Sequence, residues 1–193
     1  KRQGLDNRIG SRFLRAGPAY GGSCFPKDTK AIISTAEKFK TNLSLIKSVI
    51  ESNENRSYLL LKRVFEILRG KIKNKKIWFL GVTFKANTDD MRDSSCLTMM
   101  PKLIKNGAKI NYYDPTGKKK EVSNLKNVIY SKNIKSAIKD ADLIIIHTEW
   151  NDFKSINFKK EVKKNNFKIF DMRNIYSPSK MKEQKINYYG IGF

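Results

Sequence analysis

From residue 77 onward, short apolar runs alternate with stretches whose apolar residues recur every three or four positions. The predicted strands lie at 77–80, 109–113, 143–147, 168–170 and 187–190, of which 77–80 and 143–146 are wholly apolar, and the amphipathic stretches lie at 94–106, 134–139 and 158–163. Parallel strands need helical crossovers and are buried on both faces, so their sequences are continuously apolar. The alternation therefore predicts an α/β fold in which residues 74–193 form a Rossmann-like, doubly wound parallel sheet.

The first 73 residues follow a different pattern. Residues 1–30 hold five glycines and two prolines, which is typical of a structured loop. Helical spacing then predicts helices over about 28–39, 44–52 and 55–68, the last of them closed by Gly70. We therefore expect a helical segment at 1–73 that leads into the sheet domain at 74–193.

The net charge of +22 could indicate a polyanionic partner. The cations are scattered, however, and no zinc-finger spacing, RNP-like strand or helix-turn-helix accompanies them. No apolar run approaches the roughly 20 residues that a membrane span needs. We therefore expect neither a nucleic-acid nor a membrane partner, although a basic nucleic-acid-binding protein remains an alternative.

The cysteine content indicates the cellular setting. Cys24 and Cys96 lie far apart in the sequence and in different contexts. Two cysteines placed in this way do not indicate a disulfide framework. We expect free thiols in a reducing, cytoplasmic environment. Cys96 on a helix face and His147 inside an apolar strand are predicted to be structural, and Asp89 with Asp90 lacks the further ligands that a metal site needs.

The most informative run is Gly17-Pro-Ala-Tyr-Gly-Gly-Ser-Cys-Phe-Pro-Lys-Asp28, which holds Cys24 on a glycine-rich loop just before a helix. Backbone amides and Lys27 would make the thiol nucleophilic, and Asp28 could act as a general base for water. The alternative is that Cys24 is a small buried residue and Asp28 the N-cap of the next helix. The residues by themselves leave both interpretations open.

Polar residues follow several of the predicted strands, at the edge of the sheet where ligands bind in this architecture. They include Lys85, beside the aromatic Phe84, and Arg92 after the first strand, Glu149 after the middle one, and Asp171 and Arg173 after the next. No complete G-x-G-x-x-G occurs, since the run at 81–84 is too poor in glycine. This half of the molecule is therefore predicted to bind something other than a nicotinamide cofactor in the usual manner.

The run around Cys24 resembles the catalytic-cysteine signature of the UDP-glucose/GDP-mannose dehydrogenase family. Further stretches agree with the family in the same order: RIG and FLR at 8–15, GVTFK and NTDDMR at 81–92, AD and TEW at 141–150, DMRN at 171–174 and YGIG at 189–192. The resemblance covers essentially the whole chain. It implies that the chain is the C-terminal part of such an enzyme.

The resemblance implies an NAD-dependent, four-electron oxidation of the sugar's C6 alcohol to a carboxylate. Cys24 would trap the aldehyde as a thiohemiacetal, and the resulting thioester would be hydrolysed by water with help from Asp28. NAD would be bound mainly by an N-terminal domain that this chain lacks, so the chain alone should not turn over substrate. A homodimer formed through the helical segment is expected.

The resemblance also implies binding residues. The expected contacts to a UDP-sugar substrate are Arg8, Phe13, Leu14, Arg15, Tyr20, Gly21, Phe25, Phe84, Lys85 and Arg173, with Arg8 reaching the substrate of a neighbouring subunit. Lys27 and Arg92 are expected near the cofactor's phosphates or as braces of the catalytic loop. Cations suit a diphosphate because they form charge-assisted hydrogen bonds to its oxygens.

Residues near Cys24 bear on the branch of the family. The run at 25–28 favours the UDP-glucose branch, and Ser23 stands where the N-acetylmannosamine branch usually has histidine. Ala19 departs from the glycine that is common in the UDP-glucose branch. A GDP-mannose or UDP-N-acetylmannosamine dehydrogenase and a non-catalytic nucleotide-sugar-binding module remain alternatives.

Overall fold

A computed structural model describes residues 5, 10 and 14–192. Its helices are α1 (Cys24–Lys38), α2 (Ser44–Ile67), α3 (Cys96–Lys105), α4 (Lys120–Ser123), α5 (Ile134–Ile138), α6 (Phe158–Glu161) and α7 (Pro178–Glu183), with a 3-10 turn at Asn151–Ser155. Its strands are β1 (Lys76–Leu80), β2 (Lys109–Tyr113), β3 (Val128–Tyr130), β4 (Leu143–Ile146), β5 (Lys168–Asp171) and β6 (Asn187–Gly190). The division of the chain at residue 73 stays a prediction.

The six strands form one parallel sheet in the order β3-β2-β1-β4-β5-β6, which confirms the predicted fold. The order reverses between β1 and β4, and every residue of β4 is buried, as a central strand covered on both faces requires. In such sheets ligands bind beyond the carboxyl ends of the strands, at the reversal point. The segments after β1, β4 and β5 meet at that edge.

Helices cover the sheet on both faces. On one face α2 and α3 contribute buried side chains such as Val64 and Met99, and on the other α5, α6 and α7 contribute Ile138, Phe158 and Met181. Each face therefore has a closed apolar layer, which fixes the strand ends that carry the polar residues.

The sheet has one more strand than the sequence predicted. β3 has three residues, lies at the sheet edge and leaves Ile129 62% exposed. Its three residues are apolar but too few to be recognised as a strand from the sequence, since strand patterns need about four or more residues. The four-residue α4 and the six-residue α7 were missed as well because one turn or so shows no periodicity.

The prediction of two helices over 44–52 and 55–68 is wrong, since α2 is one helix of 24 residues. Neither glycine nor proline occurs within it, and the polar run at 51–56 spans nearly two of its turns without breaking it. Its C-terminal half buries Leu60, Val64 and Ile67 in the core. Neither α2 nor any other helix of the described chain is long and apolar enough to cross a bilayer.

The predicted start of the first helix at residue 28 is also wrong, because α1 begins at Cys24. Ser23 precedes it with no side-chain capping hydrogen bond. Asp28 is therefore not an N-cap and lies one turn into the helix, on the same face as Cys24.

Candidate functional site

A cavity of about 850 Å³ lies between the loop at 15–25, α2 and the segments that follow β1 and β5. Eight of the predicted site residues line it: Arg15, Tyr20, Gly21, Cys24, Phe25, Phe84, Lys85 and Arg173. The elements that carry them are distant in sequence, so the fold brings these side chains together.

Four predicted residues do not line this cavity. Leu14 is half exposed, Arg92 is exposed, and the exposed Lys27 and Asp28 form an ion pair with 3.6 Å between Lys27 Nζ and Asp28 Oδ1. The remaining two predicted contacts, Arg8 and Phe13, lie outside the described residues.

Cys24 is exposed and is the first residue of α1, where unpaired backbone amides and the helix dipole meet. Arg92 lies within electrostatic range of its sulfur. Helix N-termini and nearby cations stabilise thiolates in proteins. Cys96 is buried, which raises the pKa of its thiol to about 12, and its Sγ donates to the Val82 carbonyl over 3.1 Å.

Side chains of α2 hold the loop that precedes Cys24. Asn53 Oδ1 accepts a hydrogen bond from Tyr20 N at 2.9 Å, and its Nδ2 donates to Tyr20 O at 3.1 Å. Arg56 donates to Gly17 O from Nε and Nη2, at 3.3 and 3.1 Å. Both residues line the cavity. The sequence analysis missed them, because Asn53 lay in the supposed gap between two helices and Arg56 was one cation among many.

Close contacts with the segment after β1 fix the other side of the loop. Gly22 has φ +79°, and its N–H donates to the Arg92 carbonyl at 2.8 Å. A Cβ on Gly22 would lie 2.6 Å from Phe84 Cζ, and one on Gly21 would lie 2.8 Å from Asp93 O. Only glycine allows this approach, so the Phe84 ring packs directly against the loop that precedes Cys24.

The Arg92 guanidinium is held by Asp90. Arg92 Nη2 lies 2.7 Å from Asp90 Oδ2, and Arg92 Nε lies 3.0 Å from Oδ1. The hydrogen bond from Arg92 keeps the pKa of the Asp90 carboxyl below its usual value. The contact of residue 92 with the loop before Cys24 is made by its backbone carbonyl, which accepts from Gly22 N, and both roles predicted for the Arg92 side chain stay predictions.

Arg173 connects three strand ends. Its Nε donates to His147 O at 2.9 Å and its Nη2 to Phe84 O at 2.5 Å, while Glu149 Oε2 lies 3.0 Å from Nε. Burial lowers the pKa of this guanidinium. Arg173 also borders a second cavity of about 540 Å³, together with Arg15 and Glu149. Much of the hydrogen-bonding capacity of the Arg173 guanidinium is therefore used in contacts with other groups of the protein.

His147 is fully buried at the end of β4, as a structural residue should be. Its Nε2 lies 2.8 Å from Ser95 Oγ and its Nδ1 lies 3.2 Å from Thr148 Oγ1. Burial, with a smaller contribution from the Arg173 charge, lowers the pKa of this imidazole to about 3.

The low pKa of His147 predicts that stability falls as the pH drops below about 6.5. In that range the unfolded chain binds a proton that the folded chain does not bind until about pH 3, so the free energy of unfolding rises with pH. We expect a slope of up to about 1.4 kcal/mol per pH unit from this one residue. Urea unfolding of the wild type and of His147→Gln between pH 7.5 and 5.5 measures it. Equal slopes for the two proteins would contradict the assignment.

The described residues do not form the usual dinucleotide cradle. In that cradle, glycines after the first strand let a pyrophosphate approach the backbone. Here the turn begins at Gly81, and a Cβ there would lie 2.4 Å from Thr148 Cβ, so the space beside the turn is already occupied. No group of three or more histidine, cysteine, aspartate or glutamate side chains able to hold a metal occurs within the described ranges.

The chain matches two family models. The one described as "UDP-glucose/GDP-mannose dehydrogenase family, UDP binding domain" matches residues 78–178, and the one for the central domain of that family matches residues 1–55. UDP-glucose 6-dehydrogenase of Rhizobium meliloti is 39% identical over 192 residues, which are 98% of this chain and 44% of the relative. The chain thus spans less than half the length of that relative.

Solved structures show the same likeness. A UDP-glucose dehydrogenase from Pyrobaculum islandicum is similar with a TM-score of 0.80 and 30% identity, over 100% of this chain and 42% of the other. A UDP-D-ManNAc dehydrogenase from Pyrococcus horikoshii follows with a TM-score of 0.73 and 28% identity, over 91% and 39%. With a family model matched over more than half of its residues, the chain belongs to the UDP-glucose/GDP-mannose dehydrogenase family.

Proposed function

We propose that this chain is the cysteine-bearing and nucleotide-sugar-binding part of a UDP-glucose 6-dehydrogenase. The whole enzyme would carry out the NAD-dependent, four-electron oxidation of UDP-glucose to UDP-glucuronate. The observation that carries the proposal is the convergence of Cys24, on a helix N-terminus, with three aromatic rings and four cations in one cavity. The similarity to UDP-glucose 6-dehydrogenases supports it.

The cavity suits a nucleoside diphosphate linked to a sugar. Arg15 and Lys85 are exposed cations on its lining, and such cations pair with phosphate oxygens. Lys85 Nζ lies 5.2 Å from the centre of the Phe84 ring, so an aromatic surface lies beside a charge. In the proposal Tyr20, Gly21 and Phe25 bound the sugar end, next to Cys24.

The chemistry assigned to this chain is covalent. The Cys24 thiolate adds to the C6 aldehyde, and the carbonyl oxygen takes a proton to give the thiohemiacetal. After oxidation to the thioester, water attacks the acyl carbon, Asp28 accepts a proton from that water, and the thiolate leaves. The covalent bond between C6 and the Cys24 sulfur retains the reactive aldehyde in the site between the two oxidations.

The family implies NAD, which supplies the hydride acceptor when bound. Since the described residues form no dinucleotide cradle, we assign its binding mainly to the part of the longer relatives that this chain does not match. Contacts from Lys27 and Arg92 to the cofactor's phosphates stay predictions, and so does the role of Asp28, which is not among the residues that line the cavity and forms an ion pair with Lys27.

The helical segment offers a surface for a second copy of the chain. Exposed apolar side chains recur along α1 and α2: Ile32, Phe39, Leu45, Val49, Tyr58 and Leu59. Apolar surface of this kind is costly to leave in water. We therefore retain the homodimer as part of the proposal. Sedimentation equilibrium tests it, and a monomer at tens of micromolar would count against it.

Calorimetric titration tests the function directly. The chain is titrated with UDP-glucose, GDP-mannose and UDP-N-acetylmannosamine at moderate salt, with duplex DNA as the control. Selective binding of UDP-glucose is expected, and preference for another sugar nucleotide would reassign the branch. Lys85→Met should weaken binding of UDP-glucose about tenfold or more, because it removes a cation from the diphosphate. Lys159→Met, on the exposed surface of α6, serves as the matched control.

Two outcomes would contradict the proposal. One is no binding of any of the three sugar nucleotides together with tight, steeply salt-dependent binding of DNA, which the nucleic-acid alternative predicts. The other is binding of UDP-glucose that does not change in Lys85→Met, which would place the nucleotide elsewhere on the chain.

A further inference from the structure

The loop that precedes Cys24 has little backbone bonding of its own. Between residues 14 and 23, and within the described part of the chain, the one backbone hydrogen bond outside helices and strands runs from Gly22 N to Arg92 O. Among the described residues, this loop has neither the backbone hydrogen bonds of a paired strand nor those of a helical turn. It is therefore either held by side chains or free to move. The position of Cys24 therefore depends on what binds the loop from outside.

Asn53 binds the loop in a way that few residue types allow. Its amide accepts from Tyr20 N and donates to Tyr20 O, as a peptide group on a neighbouring strand would. Only asparagine and glutamine carry both a carbonyl acceptor and an amide donor at the end of the side chain. Asparagine has the shorter and less flexible side chain of the two.

Arg56 adds a second attachment at Gly17 O. It lies three residues after Asn53, so both project from the same face of α2. The loop is thus fixed four and seven residues before Cys24 to a helix whose other end is buried in the core. Both side chains also line the cavity that contains Cys24.

We infer that Asn53 and Arg56 are positioning residues that set where Cys24 stands relative to the bound sugar. The inference rests on the proposed role of Cys24 as the nucleophile. It assigns the two residues a function distinct from binding the nucleotide, which is the part of Phe84 and Lys85. Misplacement of a reacting group by about 1 Å can cost a reaction about 100-fold.

The 6-aldehyde of UDP-glucose separates positioning from nucleotide binding. In the wild type it should bind more tightly than UDP-glucose, because only the aldehyde forms a bond to Cys24. In Asn53→Ala the affinity for UDP-glucose should fall less than about threefold, while the preference for the aldehyde falls at least about tenfold. Asn53→Asp should also lose the preference, since its carboxylate can accept from Tyr20 N but sets an acceptor against Tyr20 O.

Matched variants complete the test. Asn53→Gln keeps donor and acceptor and should restore part of the preference, and Asn55→Ala, exposed on the same helix, should leave it unchanged. A merely structural role would lower the melting temperature and weaken both ligands alike, which would overturn the inference. So would a full aldehyde preference in Asn53→Ala. If the wild type shows no preference, or does not bind UDP-glucose, the proposed function fails and this inference fails with it.

Discussion

Gly81→Ala is expected to lower the free energy of unfolding by about 2–5 kcal/mol. Gly81 directly follows β1 and has φ +75°. This conformation costs an alanine about 1–2 kcal/mol. The new Cβ would also lie 2.4 Å from Thr148 Cβ. Thr148 cannot easily move, because its Oγ1 donates to Thr83 O at 2.7 Å in a buried site. Overpacking of this kind adds about 1–3 kcal/mol.

Gly70→Ala is the matched control for this prediction. Gly70 has a similar φ of +72°, but no atom lies within 4 Å of the position that its Cβ would take. It should lose only the conformational part, about 1–2 kcal/mol. Urea unfolding of both variants measures the difference, which isolates the contact with Thr148. Equal losses for the two glycines would show that the strand end relaxes and that the close approach has little energetic weight.

Cys24→Ala is expected to abolish the preference for the 6-aldehyde of UDP-glucose over UDP-glucose itself, because no thiohemiacetal can form. The affinity for UDP-glucose should change little, since the cations and the Phe84 ring remain. The number of cysteines that iodoacetamide labels should likewise fall from one to none. Cys96 does not replace it, because it is completely buried and its thiol pKa is about 12.

Ser23→Ala is the control for Cys24. Its hydroxyl is exposed, 3.8 Å from the Cys24 sulfur, and its removal should leave both the aldehyde preference and the labelling in place. Calorimetry with the two ligands and mass spectrometry of the alkylated chain give the two readouts. A Cys24→Ala variant that keeps the aldehyde preference would eliminate Cys24 as the nucleophile.

The sheet could be predicted because its central strands must be apolar on both faces. That condition makes Leu143–Ile146 conspicuous in the sequence, whereas Val128–Tyr130 is apolar but only three residues long and lies at the edge with one flank open. The start of α1 was placed four residues late because Gly21, Gly22 and Pro26 suggested a loop. Proline is tolerated in the first turn of a helix, where its missing N–H has no partner to lose.

Membership in a motif pointed to part of the residues that line the cavity, but not to all of them, since Leu14 and Arg92 belong to motifs and do not line it. Phe84 and Lys85 are examples of those that it pointed to, and the fold places them in the same cavity as Cys24. The role of Asn53 could not be predicted, because it binds the backbone of Tyr20. Every residue has the same backbone groups, so the sequence shows no complementary side chain that would identify the pair. Glu149 was noted at a strand end, but its pairing with Arg173 depends on the order of β4 and β5 in the sheet.

Because α2 is a single helix, the loop before Cys24 is attached near the middle of a stiff rod whose C-terminal half is buried in the core. Val64, its fully buried anchor, lies eleven residues from Asn53, which is about 16 Å along the axis. A pivot of about 4° at the anchored end therefore sweeps the point of attachment through about 1 Å, the displacement that reactions of bound groups tolerate poorly. In the proposed reaction, core side chains far from the cavity would therefore change the position of Cys24 by tilting α2, without contacting the substrate.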